Sequence, residues 1–528
     1  MPPDLLITGT VHTLDAARPR VDAVLVREGR FVRIGSVTEC RRAAWGQPET
    51  VALVRGCALP GLADAHGHVL GLARARAEVR CAGVRDPEAC AALAAERARS
   101  LAPGEWVTGR GWDQNLWGGA FPVSEILDRA VPDHPVVLTR VDGHAAWASG
   151  AALARAGIGP ATLDPPGGRI LRDAGGRPTG VLLDTAMDPL LAVLPRPGPR
   201  ELEEALLAAL RELASLGLTG VHDAGVEPDV LDAYARLAAG NRLPLRVHAM
   251  IDGQVGPARL DVELARWRGW READRFEVRA VKLYADGALG SRGAALLDDY
   301  ADEAGNRGLL LLEPAALAER VALVAGAGFQ PAIHAIGDRA CRLALQAFEA
   351  AGPGLRILRP RIEHLQILQP ADLPRLARSG VVGSMQPVHA TSDAPWVPGR
   401  LGQETARLRG AYAWRSVAAA GAVLAFGSDF PVEEPDPRAG LHAAEVRRDA
   451  DGRAFLPEQR LTRIEALTAF TAGPAYAAFA ESRRGVIREG FDADLTLFAE
   501  DVLAVDAEEL RQLPITHTIV GGEVVWSS

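Results

Sequence analysis

Lys282, in the stretch AVKLYADGALGSRGA, is the single lysine of a chain with 58 lysines and arginines. Arginine stays protonated, whereas a desolvated lysine can release its proton and expose a nucleophilic amine. A position that escapes the arginine bias is therefore a candidate for chemistry a guanidinium cannot perform. His66 and His68, in ADAHGH, sit two residues apart. On an extended strand such residues project to one face, so both imidazoles can reach one ion. HxH spacing alone is a weak metal signal, since structural histidines share it. Three more donors follow short apolar runs, as Lys282 does: His334 in QPAIHAIG, His364 in RIEHL and Asp429 in VLAFGSD. Singly, each reads as a satisfied core histidine or a helix-capping aspartate. Whether they form one site depends on the elements that carry them.

Between residues 58 and 430 short apolar runs alternate with Ala/Leu-rich segments of helical spacing, the rhythm of βα units. Eight strands are expected: ALPGLADAHGH from Ala58, GLTGVHDAG from Gly217, LRVHAMI from Leu245, AVKLYADG from Ala280, FQPAIHAIG from Phe329, PRIEHL from Pro360, VVGSMQP from Val381 and VLAFGSDF from Val423. The predicted fold class is α/β, a (β/α)8 TIM-like barrel over residues 58–480. Residues 69–216, far more than one crossover needs, read as a subdomain inserted after the first barrel strand and roofing the mouth. Alternating strands and glycine turns in residues 1–57 and 481–528 predict a small β-sandwich built from both termini.

A barrel turns six scattered donors into one cluster, because the C-terminal ends of its strands share one face. His66, His68, Lys282, His334, His364 and Asp429 all fall there, and the set predicts a divalent metal, with imidazole and carboxylate donors that suit zinc, manganese or iron. A cation makes water a nucleophile near neutral pH, and Asp429 is the carboxylate placed to take a proton and return it to a leaving nitrogen. Trp112 and Trp117 are candidates for an aromatic wall around the substrate, against a reading as packing anchors. Arg292 is a candidate for holding a polar substrate group, against pairing with Asp286 or Asp338. His222 and Asp223 read either as supports at the rim or as local hydrogen-bonding groups.

The motifs PGLADAHGH, VKLYADGALGSRGA, AIHAIGD, RIEHLQ and GSDFPVEEPDP, with DGHAAWAS in the insertion, run through almost the whole chain. In these the chain resembles the amidohydrolase superfamily, and within it the YtcJ-like hydrolases that include N-substituted formamide deformylases. The resemblance implies an enzyme acting on carbon–nitrogen bonds other than peptide bonds, with the six residues as ligands of a divalent metal, Zn2+ as one or two ions, and Lys282 bridging two metals if carboxylated. It also places His144 near the pocket as a donor to the developing oxyanion.

Composition narrows the alternatives. The net charge of -9 is spread and no basic stripe suggests nucleic acid. No apolar run reaches membrane-spanning length and the N-terminus does not read as a signal peptide, so a cytoplasmic enzyme is expected. The expected partner is a small-molecule substrate, with a homodimer left open as the assembly. Five cysteines without paired spacing read as small buried hydrophobes. One rival is a deaminase of an amino-heterocycle with Glu363 as its catalytic acid. Glu363 directly precedes His364, however, and on a regular strand it faces away from the pocket. A non-catalytic scaffold is the other rival, opposed by the cost of burying six polar groups without partners.

Overall fold

The computed structural model describes residues 3–272 and 274–528. At its centre are eight strands: β1 (Leu62–Gly67), β2 (Leu218–Val226), β3 (Arg246–Asp252), β4 (Phe276–Tyr284), β5 (Gln330–Ala335), β6 (Arg361–His364), β7 (Val382–Met385) and β8 (Val423–Phe426). Each pairs in parallel with the next in sequence. Helices cover the outside, so both faces of the strands are buried, as in β5 where all six residues are inaccessible. That two-sided burial is why these segments read as continuous apolar runs.

The seam between β8 and β1 closes without a regular ladder. Asp64 on β1 accepts hydrogen bonds from the Ser428 backbone N–H at 3.1 Å and from its hydroxyl at 2.6 Å. Beyond it, Asp429 N–H donates to the His66 carbonyl at 2.7 Å and His68 N–H to the Phe430 carbonyl at 2.8 Å. Such close approach needs glycine: a Cβ at Gly427 would lie 2.4 Å from Asp64 Oδ1, and one at Gly67 would lie 2.2 Å from the Phe430 ring.

The chain termini form one continuous seven-stranded sheet in the order 523–527, 515–520, 495–498, 49–60, 5–12, 20–27, 30–35. The expected sandwich is thus a single sheet that curls, bringing the turn at Gly29 against Gly521 and enclosing a core of Ile7, Val24, Phe31, Leu495 and Ile519. Ala58–Pro60, expected in the first barrel strand, belong to this sheet.

The insertion is narrower than 69–216. Helices Val69–Ala77 and Pro199–Ser215 pack against each other, and their Leu72, Leu206 and Leu210 join the barrel core, so they are crossover helices. The inserted module is a six-stranded sheet from Val79 to Asp184 with its own apolar core. That core contains Trp112, fully buried with its indole N–H donating to Leu138 O, and Trp117 stacked on it at 5.9 Å. Neither indole borders the cavities at the barrel mouth, so the expected aromatic wall is not made by these residues. All five cysteines are free and buried. Among the described residues no helix is long and apolar enough to cross a membrane.

Candidate metal centre

The strand ends bring the six donors to one place. His66 is fully buried at the end of β1. His68 has already left the strand and occupies the N-cap position of helix Val69–Ala77, yet its Nε2 lies 3.1 Å from Asp429 Oδ1. The His66 Nε2 is 3.4 Å from the same carboxylate oxygen and 3.0 Å from the Lys282 Nζ. Donor atoms of His66, His364 and Asp429 all lie within 4.8 Å of one another. The His334 ring stands 4.5 Å from that of His364.

Three of the histidines are held the same way. His66 Nδ1 faces Glu363 Oε2 at 2.5 Å, His68 Nδ1 the Ala224 carbonyl at 2.9 Å, and His364 Nδ1 the Gln386 Oε1 at 2.9 Å. Each neighbour is an acceptor, which selects the Nδ1–H tautomer and leaves the Nε2 lone pair for an ion. Two buried atoms of the cluster, Asp429 Oδ1 and His334 Nε2, have no hydrogen-bond partner among the described residues. Buried polar atoms are rarely left so. Imidazole nitrogens beside a carboxylate oxygen, with lone pairs unspent, fit a divalent cation such as zinc.

Burial sets the protonation states. It draws His66 down to about 4, and His334 and His364 well below the ordinary imidazole value, so all three are neutral imidazoles at physiological pH. Burial likewise draws the Lys282 ammonium down to about 8, against the pull of Glu363 and Asp429. For Asp429 burial works upward, but His68, His66 and His364 outweigh it and hold the carboxyl well below its usual range. Asp429 also sits at φ +59, a left-handed conformation that is costly for a non-glycine residue and that recurs at functional sites.

Glu363 was expected to face outward and does not. It is fully buried, bonded to His66 and, at 2.7 Å, to Arg361. The alternation rule fails because the chain leaves extended geometry here, with φ +71 at His364 and +44 at Leu365. Arg361 then reaches His222 Nδ1 at 2.9 Å, while Asp223 accepts from the Tyr234 hydroxyl at 2.6 Å. His222 is thus a local hydrogen-bonding group of the barrel, whereas Asp223 is hydrogen-bonded and also borders a cavity at the mouth. Arg292 pairs with Asp302 at 3.0 Å and Glu303 at 3.2 Å, not with Asp286 or Asp338, and it borders neither cavity at the mouth. It is therefore removed from the substrate contacts.

His144 comes from the insertion, just before strand Ala145–Ala148, and its ring lies 5.0 Å from that of His334. Asp184, on a neighbouring strand of the insertion, accepts from Nδ1 at 2.7 Å. Burial would lower the His144 pKa, but the Asp184 bond and charge outweigh it and the net shift is upward. Asp184 and Gln386 escaped the sequence reading, because a lone acid or amide far from any donor gives no spacing signal. Glu363 was visible only as a letter beside His364.

The model of the amidohydrolase family matches residues 49–526. The chain belongs to the amidohydrolase family. It is 33% identical over 531 residues to the putative amidohydrolase YtcJ of Bacillus subtilis (strain 168), covering 98% of both chains. It is 28% identical over 532 residues to the N-substituted formamide deformylase of Arthrobacter pascens, covering 98% of this amidohydrolase and 97% of that enzyme. The crystal structure of an uncharacterized metal-dependent hydrolase from Pyrococcus horikoshii OT3 superposes with a TM-score of 0.78 at 26% identity, covering 96% of this chain and 99% of that one.

Proposed function

We propose that this amidohydrolase cleaves a C–N bond of amide or formamide type in a small molecule. The reading is carried by the convergence of His66, His364 and Asp429, with Asp429 Oδ1 and His334 Nε2 buried and unpartnered at the barrel mouth. His66, His68, His334, His364 and Asp429, with Lys282, would hold the metal, Zn2+ as one or two ions. Carboxylation of Lys282 belongs to the same proposal, since an amine drawn down to about 8 is readily available to add to carbon dioxide with loss of a proton. When bound, a divalent cation supplies Lewis acidity and lowers the pKa of water from about 15.7 to about 7.

The protein's own groups do the rest. Asp429, held ionised, takes a proton from the attacking water and returns it to the departing nitrogen as the C–N bond breaks. His144, fixed by Asp184, donates a hydrogen bond where charge builds on the carbonyl oxygen. Glu363 fixes the tautomer of His66. Because Glu363 is engaged by both His66 and Arg361, it is poorly placed to serve a deaminase as a free acid, and this favours the amide reading. The relative named for N-substituted formamide deformylation supports the same substrate type.

The test is a panel of N-substituted formamides, acylated amines and amino-heterocycles on zinc-loaded protein, read as organic amine against ammonia released. Amine from the first two classes is expected. Ammonia from the heterocycles alone would replace the proposal with a deaminase.

A further inference from the structure

Two cavities leave the donor cluster in different directions, and their charges differ. Asp142, His144, His334, His364, Asp429 and Val432 border both. The smaller, about 120 Å³, carries Asp393 and Glu433, neither of which is paired with an arginine among the described residues. Its one cation, Arg140, is already bound to Asp113, Asp142 and Gln114.

The larger cavity, about 410 Å³, is the reverse. Apart from Asp429 of the donor cluster, its acids are engaged: Asp142 by Arg140 and the His144 backbone, Asp223 by Tyr234 and the Val69 backbone, Glu227 by Arg196. Its arginines are not. Among the described residues neither Arg74, from helix Val69–Ala77, nor Arg110, from strand Val107–Trp112 of the insertion, has a carboxylate oxygen within 4.0 Å. Glu78 lies close enough for both to pull its carboxyl down, but burial dominates there and holds it up. Arg110 donates one hydrogen bond, to Val141 O at 2.8 Å, and its Nε is buried without a partner. A guanidinium's planar fork matches a carboxylate, and Arg110, buried with the charges of Asp429, Asp142 and Glu78 in its neighbourhood, has none bonded to its fork. Leu70, Leu191, Val226 and Val230 supply an apolar wall beside them.

We propose that Arg74 and Arg110 form the subsite for a carboxylate carried by the substrate, so that the preferred substrates are amides bearing an acidic group. The inference rests on the hydrolase reading above. The smaller cavity offers no free guanidinium to the same group, so the two cavities differ in which end of a substrate they accept.

The test compares 4-(formamidomethyl)benzoate with neutral N-benzylformamide as substrates of the zinc-loaded protein, and 4-ethylbenzoate with 4-ethylbenzamide as ligands in calorimetry. The acid should be preferred by tenfold or more in kcat/KM, mainly through KM. The ratio should collapse toward one in Arg74→Gln, an exposed position where folding is not at risk, and in Arg110→Lys. Binding of 4-ethylbenzoate should weaken in both variants and with added salt. Equal treatment of acid and neutral compound would overturn the proposal, as would benzoate binding that survives in both variants, since the anion would then be sitting on the metal. If neither formamide turns over but the arginine-dependent binding preference stands, the carboxylate subsite is upheld and the hydrolase reading falls.

Discussion

Among the described residues, two places bring histidine, aspartate and a further donor-bearing residue within reach of one ion, and they differ in what those atoms are already doing. At the barrel mouth, His66, His364 and Asp429 meet with Asp429 Oδ1 and the neighbouring His334 Nε2 unpaired. In the terminal sheet, donor atoms of His12, Cys57 and Asp501 also lie within 4.8 Å of one another, but His12 Nε2 and Asp501 Oδ1 are 2.7 Å apart and bonded to each other. The Cys57 sulfur accepts from Val502 N–H at 3.3 Å and donates to Glu500 O at 3.5 Å. Proximity is common to both clusters. Only at the mouth are buried lone pairs left unspent, at a cost a ligand would relieve.

The largest way to break this contrast is at Lys282. Lys282→Arg preserves a cation but cannot carry a carbamate, and it should lose both metal and turnover, measured by elemental analysis and amine release. Survival of both would end the argument from the single lysine. Asp429→Asn comes next: it should keep its metal and lose about 10²–10⁴-fold in kcat, the usual scale of a general acid–base group. Near wild-type turnover with metal bound would take the proton-transfer role away from Asp429.

A smaller effect is expected at Glu363. Glu363→Gln keeps the shape but weakens the hold on His66 and leaves Arg361 buried without its carboxylate. Metal affinity should fall by about 10–100-fold in a chelator competition. Unchanged affinity would make the Glu363 contact a matter of packing alone.

Acid sharpens the contrast from another side. In metal-free protein, unfolded histidines take up protons near 6.5, whereas native His66 stays neutral down to about 4. At these histidines the unfolded state therefore binds more protons across this window, a contribution to stability that is lost as pH drops from about 6.5 to about 4, approaching about 1.4 kcal/mol per pH unit for each; Asp64, Asp286 and Asp393, pushed up to about 7 by burial, work the other way. Urea midpoints at pH 7 and pH 5 measure it, and His334→Gln should reduce the slope. An unchanged slope in His334→Gln would mean that this imidazole is not protected from protons in the native state.

How far the letters revealed all this depends on the kind of regularity involved. The eight barrel strands were legible because burial on both faces leaves uninterrupted apolar runs, with donors such as Lys282 and Asp429 marking their ends. The donor side chains converge as expected, although His68 does so from a helix cap. Glu363 was misjudged because alternation holds only for extended backbone, and positive φ values at His364 and Leu365 cannot be seen in RIEHL. Trp112 and Trp117 looked like a binding surface since aromatic, glycine-rich loops often are; here they make the core of a separate module. Arg292 found Asp302 and Glu303, ten and eleven positions on, where the sequence reading named Asp286 and Asp338. The insertion was drawn too wide because its flanking helices have the same Ala/Leu spacing as every other crossover.

The smallest effect should be at Cys57, and it tests the contrast from its quiet side. For that cluster to bind zinc, His12 and Asp501 would have to part and the Cys57 thiol would have to ionise, although burial pushes it up to about 12. A metal can deprotonate a thiol, but here it would also have to replace hydrogen bonds already made, and so gains less than at the mouth. Cys57→Ser should leave metal stoichiometry unchanged. It should cost only about 1–2 kcal/mol, because Val502 N–H and Glu500 O remain as partners for the hydroxyl. If wild-type protein instead holds an additional equivalent of zinc that Cys57→Ser loses, then unspent lone pairs are not what separates the two clusters, and proximity of donors alone would be enough.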